Sequence, residues 1–66
     1  MTRERLHRQR LVIAALSDSL IHSQSDVVRI LKSHGIKVTQ ATASRDLEEL
    51  GAVRGKDSDG RIVYQL

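Results

Sequence analysis

The stretch "VTQATASRDLEEL", Val38 to Leu50, decides how this chain is to be read. At about 100° per residue, Ala43, Leu47 and Leu50 fall within about 60° of one another, which predicts a helix with those three on its buried side. Arg45 then points almost opposite them. Ala41 and Thr42 share its outward quadrant, Ser44 lies at the edge of that quadrant, and Gln40 stands at the exposed amino end. The outer face is a short polar surface of small residues around one long side chain with five N–H donors. DNA reading by a helix-turn-helix uses such a surface. The amino-terminal part of its second helix enters the major groove, small residues let the backbone approach, and an arginine reaches the two acceptors of a guanine. An exposed arginine on a small helix is also ordinarily just solvated, so the neighbouring sequence has to support the reading. Asp46, Glu48 and Glu49 would be repelled by phosphate along the groove. They either lie away from the DNA or hold Arg45 in position.

Working outward, Thr39 is placed to cap this helix and Gly51 to end it, so the helix runs from Gln40 to Leu50. Upstream, "SQSDVVRILKSHG" sets Ser23 three residues before Asp26 as an approximate capping box, with Val27, Ile30 and Leu31 on the core side. Gly35 provides the left-handed residue of a Schellman stop, with Ile36 placed to touch Leu31. The connection Ile36 to Val38 is short and has the composition of a scrap of strand. A first helix is predicted from about Arg5 to Ser17, with Leu6, Ile13 and Leu16 on one face and Val12 and Leu20 flanking it. Beyond Gly51 the period changes to two. "AVRG" and "RIVYQL" read as short strands, the second placing Ile62, Tyr64 and Leu66 on one face, and "KDSDG" between them is turn chemistry with Gly60 available for positive φ. Three helices and a hairpin predict an α+β winged helix-turn-helix occupying residues 1–66 as one domain.

The rest of the composition narrows the function. A chain of 66 residues with 39% hydrophobic content has material for one small core. It has no cysteine, so neither a disulfide nor a Cys-type zinc site is available, which suits a reducing cytoplasm. The longest apolar run, Leu11 to Leu16, is too short to span a membrane and lacks a cleavage-site pattern. The net charge is +3 and the pI near 10.0, as suits a nucleic-acid partner. That charge is concentrated at the amino end, where Arg3, Arg5, Arg8 and Arg10 face one acid, Glu4. Arginines at a helix start oppose the macrodipole unless an anion offsets it. A phosphate backbone is one such anion, and a solvated basic terminus is the alternative. Arg54, Lys56 and Arg61 surround the hairpin turn where a wing would meet phosphate, against Asp57 and Asp59 at its tip.

The segment "VTQATASRDLEELGAV" closely resembles the recognition-helix region of the bacterial arginine repressor family. The Thr-Gln-Ala-Thr, Ser-Arg-Asp and Glu-Leu-Gly elements at Thr39–Thr42, Ser44–Asp46 and Glu49–Gly51 carry the resemblance, and the order of elements extends it over essentially all 66 residues. It implies that Ser44 and Arg45 are the principal base-contacting pair, with Gln40 and Thr42 in support. It also implies that the early arginines Arg3, Arg5, Arg8 and Arg10, with Lys56 and Arg61 of the hairpin, touch phosphate. Double-stranded DNA, as a palindromic AT-rich operator controlling arginine metabolism genes, is the implied partner. One departure is Ala43, where the family commonly has a larger aliphatic residue, which predicts thinner packing beneath the helix with its outer face unchanged. Family members continue into a second domain that binds L-arginine as co-repressor and assembles a homo-oligomer, a hexamer by the resemblance. That domain is expected to be absent from this chain, so no cofactor is expected here and the isolated domain should be monomeric.

No enzyme reading emerges. His7, His22 and His34 fall on different segments without a metal-ligand pattern, and no metal site is expected. Ser17, Ser19 and Ser25 suit capping or turns, no nucleophile has an oriented base, and no glycine-rich phosphate loop is present, so no catalytic residues are assigned. The rival function is a winged-helix protein-interaction module without sequence-specific DNA binding, since such folds also dock proteins and the acids after Arg45 would suit a basic partner.

Overall fold

The computed structural model describes residues 3–66; the first two residues of the expected 1–66 domain lie outside the described part. Three helices, α1 (Arg3–Ser17), α2 (Gln24–Ser33) and α3 (Gln40–Glu49), precede an antiparallel hairpin of β1 (Val53–Lys56) and β2 (Ile62–Gln65). This is the predicted α+β winged helix-turn-helix. Among the described residues no helix is long and apolar enough to cross a membrane.

Helix ends follow the sequence logic. Thr39 Oγ1 accepts from the backbone N–H of Thr42 at 3.2 Å, capping α3. α2 stops in a Schellman motif: Ile36 N–H donates to Leu31 O and Gly35 N–H to Lys32 O, both at 2.9 Å, with Gly35 at φ 78°. The same pattern recurs after α3 at Gly51, and after α1 with Ser19 in the left-handed position at φ 57°. The start of α2 departs from a full capping box. Ser23 is the N-cap but makes no side-chain cap hydrogen bond, whereas Asp26 reaches back to accept from His22 N–H at 2.8 Å.

Val12, Ala15, Leu16, Ile21, Val27, Leu31, Ala43 and Leu47 form one buried cluster among the three helices. Three expectations are corrected. On α1 the buried residues are Gln9, Val12, Ala15 and Leu16, while Leu6 and Ile13 are 41% and 37% exposed. The helix is rolled because Arg8 and Gln9 are drawn toward carboxylates on α3. On β2 the buried side chain is Val63, with Tyr64 partly buried against the core and Ile62 and Leu66 exposed. β2 has β1 on one side and, on the other, Ile21, whose carbonyl accepts from Tyr64 N–H at 2.8 Å. Its centre is therefore covered and its ends are not. Ile36 to Val38 forms no strand, and the backbone contact to the free side of β2 comes from Ile21 instead.

The hairpin turn is built by Asp57. Its carboxylate accepts from Asp59 N–H and Arg61 N–H, both at 2.9 Å, and Gly60 takes φ 80°. The N–H of Arg61 above all, with that of Asp59, holds the Asp57 carboxyl below its ordinary range. This acid is a component of the turn rather than a charge displayed at the tip.

Candidate nucleic-acid interface

Two hydrogen bonds between side chains lock α3 to the start of α2. Gln40 Nε2 donates to Ser25 Oγ at 2.8 Å, and Gln24 Nε2 donates to Ser44 Oγ at 3.1 Å. The outer face of α3 therefore presents Gln40, Ala41, Thr42 and Arg45 from a fixed frame, with Ser44 half-buried beside them. Thr39 Oγ1, the capping atom, also donates to Thr42 Oγ1 at 3.3 Å. Arg45 is exposed, and among the described residues no carboxylate pairs with it.

Two of the acids that follow Arg45, Asp46 and Glu49, are engaged by side chains of α1. Asp46 is 2% exposed and receives two hydrogen bonds from Arg8, Nε to Oδ2 at 2.5 Å and Nη2 to Oδ1 at 2.9 Å. Asp46, chiefly through these hydrogen bonds and also through its charge, raises the pKa of the Arg8 guanidinium above its ordinary value. Glu49 pairs with Arg5 and accepts from Gln9 Nε2 at 2.9 Å; the Arg5 hydrogen bond first, then Gln9, lowers its carboxyl pKa. Asp46 is buried away from the outer surface, Glu49 is exposed but paired with α1, and Glu48 is exposed; among the described residues none of the three holds Arg45. Asp46 and Glu49 also supply anions for the arginine-rich start of α1, so the macrodipole there is opposed by cations that are already partly neutralised.

The six expected phosphate contacts are placed unequally. Arg3 and Arg10 are exposed on α1. Arg5 is half-buried against Glu49, and the Arg8 side chain is 19% exposed with its Nε and one terminal nitrogen held by Asp46. On the wing Lys56 is exposed, whereas the Arg61 guanidinium lies 3.8 Å from Asp57 and 3.9 Å from Asp59, which offsets part of its charge. Arg5, Arg8, Thr42, Arg45, Asp46 and Glu49 line one recess on the α1 side of α3.

A second recess, between α3 and the wing, contains Arg54, which the sequence placed beside the hairpin turn without assigning it to the base-contacting or phosphate-contacting set. Arg54 lines the groove with Ser44 and Gln24, and also the adjoining groove with Gln40 and His22. Its guanidinium lies 5.9 Å from the centre of the Tyr64 ring, its cross-strand partner in the hairpin register. The sequence signal was the pairing itself: once the turn is placed at Asp57 to Gly60, Arg54 falls opposite the only aromatic residue of the chain.

A helix-turn-helix whose second helix displays an unpaired arginine among small residues, flanked by a basic helix start and a wing, defines a winged-helix DNA-binding domain. Comparison with protein families agrees and is more specific. Residues 1–66 match the family model described as arginine repressor, DNA binding domain, and the chain belongs to that family. It is a family of DNA-binding repressors and not of enzymes.

Proposed function

We propose that this domain reads the operator of an arginine-responsive transcriptional repressor of arginine metabolism genes by inserting α3 into the major groove. Ser44 and Arg45 contact base edges, and Gln40 and Thr42 support them. The observation that carries this reading is Arg45, exposed at the middle of the outer face and without a carboxylate partner among the described residues, while Asp46 and Glu49 are engaged with α1. Arg3, Arg5, Arg10, Lys56 and Arg61 supply phosphate contacts, and with them much of the affinity and its salt dependence. Arg8, held by Asp46, is left out of that set. A single copy binds weakly, because the paired half-sites of a palindrome reward linked copies. In the parent protein a further domain binds L-arginine and assembles the oligomer, and the whole acts in the cytoplasm where its DNA partner lies.

The test is fluorescence anisotropy with an AT-rich palindromic duplex and a scrambled duplex, each at two salt concentrations. A preference for the palindrome that persists at the higher salt supports sequence reading. Equal binding that salt erases leaves a basic domain that touches phosphate only, and indifference to DNA favours the protein-interaction module.

A further inference from the structure

The junction between α1 and α3 is unusual for so small a core. Its buried members include Gln9, 6% exposed, and Asp46, 2% exposed, in place of the apolar pair expected where two helices meet. Three consecutive contacts cross it. Arg8 grips both oxygens of Asp46, Gln9 Nε2 reaches Asp46 Oδ1 at 3.4 Å and Glu49 Oε2 at 2.9 Å, and Arg5 pairs with Glu49. Apolar contacts are non-directional, so a helix seated on them alone can roll or slide at little cost. A two-point guanidinium–carboxylate bond is planar and directional, and it fixes both the tilt of α3 and its rotation about its own axis. Asp46 directly follows Arg45 and is two residues from Ser44. Since successive side chains are about 100° apart, setting the direction of Asp46 sets that of both base-reading side chains.

We infer that Arg8, Gln9 and Asp46 are positioning residues for DNA reading: they orient α3 and touch no DNA. The inference rests on the proposed reading of DNA by Ser44 and Arg45. Arg8 has its Nε and one terminal nitrogen committed to Asp46 and little exposed surface, and Asp46 is enclosed and of the wrong charge for phosphate. Two other roles are open to such a pair. It could serve stability alone, in which case well-packed apolar residues of similar volume would replace it without functional loss. Alternatively Arg8 could be a phosphate contact, in which case any cation at that position would serve.

Two variants separate these roles, measured against wild-type domain on palindromic and scrambled duplexes over a salt series, with a thermal melt of each protein. Arg8→Lys keeps the charge and loses the two-point grip. It is expected to lower the preference for the palindrome about tenfold, with scrambled-DNA binding and the slope of log affinity against log salt unchanged. Arg8→Met combined with Asp46→Leu is expected to melt near the wild-type temperature, lose preference to a similar extent, and keep the same salt slope. Retention of wild-type preference by the folded double variant overturns the inference in favour of stability alone, and retention by Arg8→Lys overturns it by showing that any cation serves at that position. A salt slope reduced by about 0.9 in the double variant overturns it in favour of a phosphate contact. Should the double variant fail to fold, Arg8→Lys alone decides. Absence of preference in the wild-type domain overturns the functional reading itself, and is visible in a separate arm from any defect of the variants.

Discussion

Replacing Arg45 with alanine removes a guanidinium that is exposed and has no carboxylate partner among the described residues. Neither a salt bridge nor a packed stem is lost, so the folding stability of Arg45→Ala should stay within about 0.5 kcal/mol of wild type. Alanine is also the best helix former, which works against any small loss. The effect on DNA should be far larger. A two-point arginine–guanine contact is worth roughly 1–3 kcal/mol of discrimination, a factor of roughly 5 to 150 in affinity for the specific sequence. If Arg45 reads a base, the loss falls on the palindromic duplex and spares the scrambled one. The slope of log affinity against log salt then changes little, whereas a lost phosphate contact would lower it by about 0.9. Anisotropy titrations at several salt concentrations, with a circular-dichroism melt as control, measure all three quantities. An equal loss on both duplexes, or a fall in Tm matching the loss in affinity, would refute the reasoning.

Three further outcomes follow from the fold. Ser19 adopts a left-handed conformation at the end of α1, so Ser19→Gly should stabilise by about 0.5–1 kcal/mol and raise Tm by a few degrees in a thermal melt; an unchanged or lower Tm counts against the strain. Leu31 is fully buried at the centre of the core, and Leu31→Ala should cost about 2–5 kcal/mol, read by urea denaturation. A 66-residue domain has roughly 3–10 kcal/mol in total, so that loss should leave a large unfolded fraction, and a well-folded variant would show that the core repacks. Finally, three carboxyls have folded pKa values below their ordinary 3.8 or 4.5: Asp26, whose burial opposes ionisation but is outweighed by His22 N–H and Arg29, Glu49 and Asp57. The folded state thus binds fewer protons than the unfolded one near those values. Stability should be complete above about pH 5 and fall as pH drops through the folded pKa values, and a Tm constant between pH 5 and pH 2 would contradict the linkage.

The parts of this fold legible in the sequence were those governed by local chemistry. Thr39 as a cap, Gly35 and Gly51 as stops, and Asp57 to Gly60 as a turn depend on backbone geometry within a few residues, and each lies where its residue type predicts. The outer face of α3 was equally legible, because opposing it to Ala43 and Leu47 needs only the helical period. What was not legible depended on partners distant in the chain. Apolar periodicity treats Leu6 and Ile13 as core and gives no reason to bury the polar Gln9 between them, because it cannot know that Asp46 and Glu49 lie opposite α1. The burial of Val63 likewise requires knowing that Ile21 flanks β2.

That failure bears on how the domain works. The places where polarity overrides the apolar pattern coincide with the contacts that orient α3, and this is what a small DNA-reading domain requires. A core of eight residues seats the three helices but fixes their mutual angles weakly, whereas base recognition demands a defined angle. Directional bonds provide it at both ends of the helix: Gln24 and Gln40 tie its amino-terminal half to α2, and Arg8 and Gln9 tie its carboxyl-terminal half to α1. Two of the acids that looked unfavourable beside a DNA backbone, Asp46 by burial and Glu49 by pairing with Arg5, are therefore engaged with α1 and leave Arg45 without a carboxylate partner among the described residues.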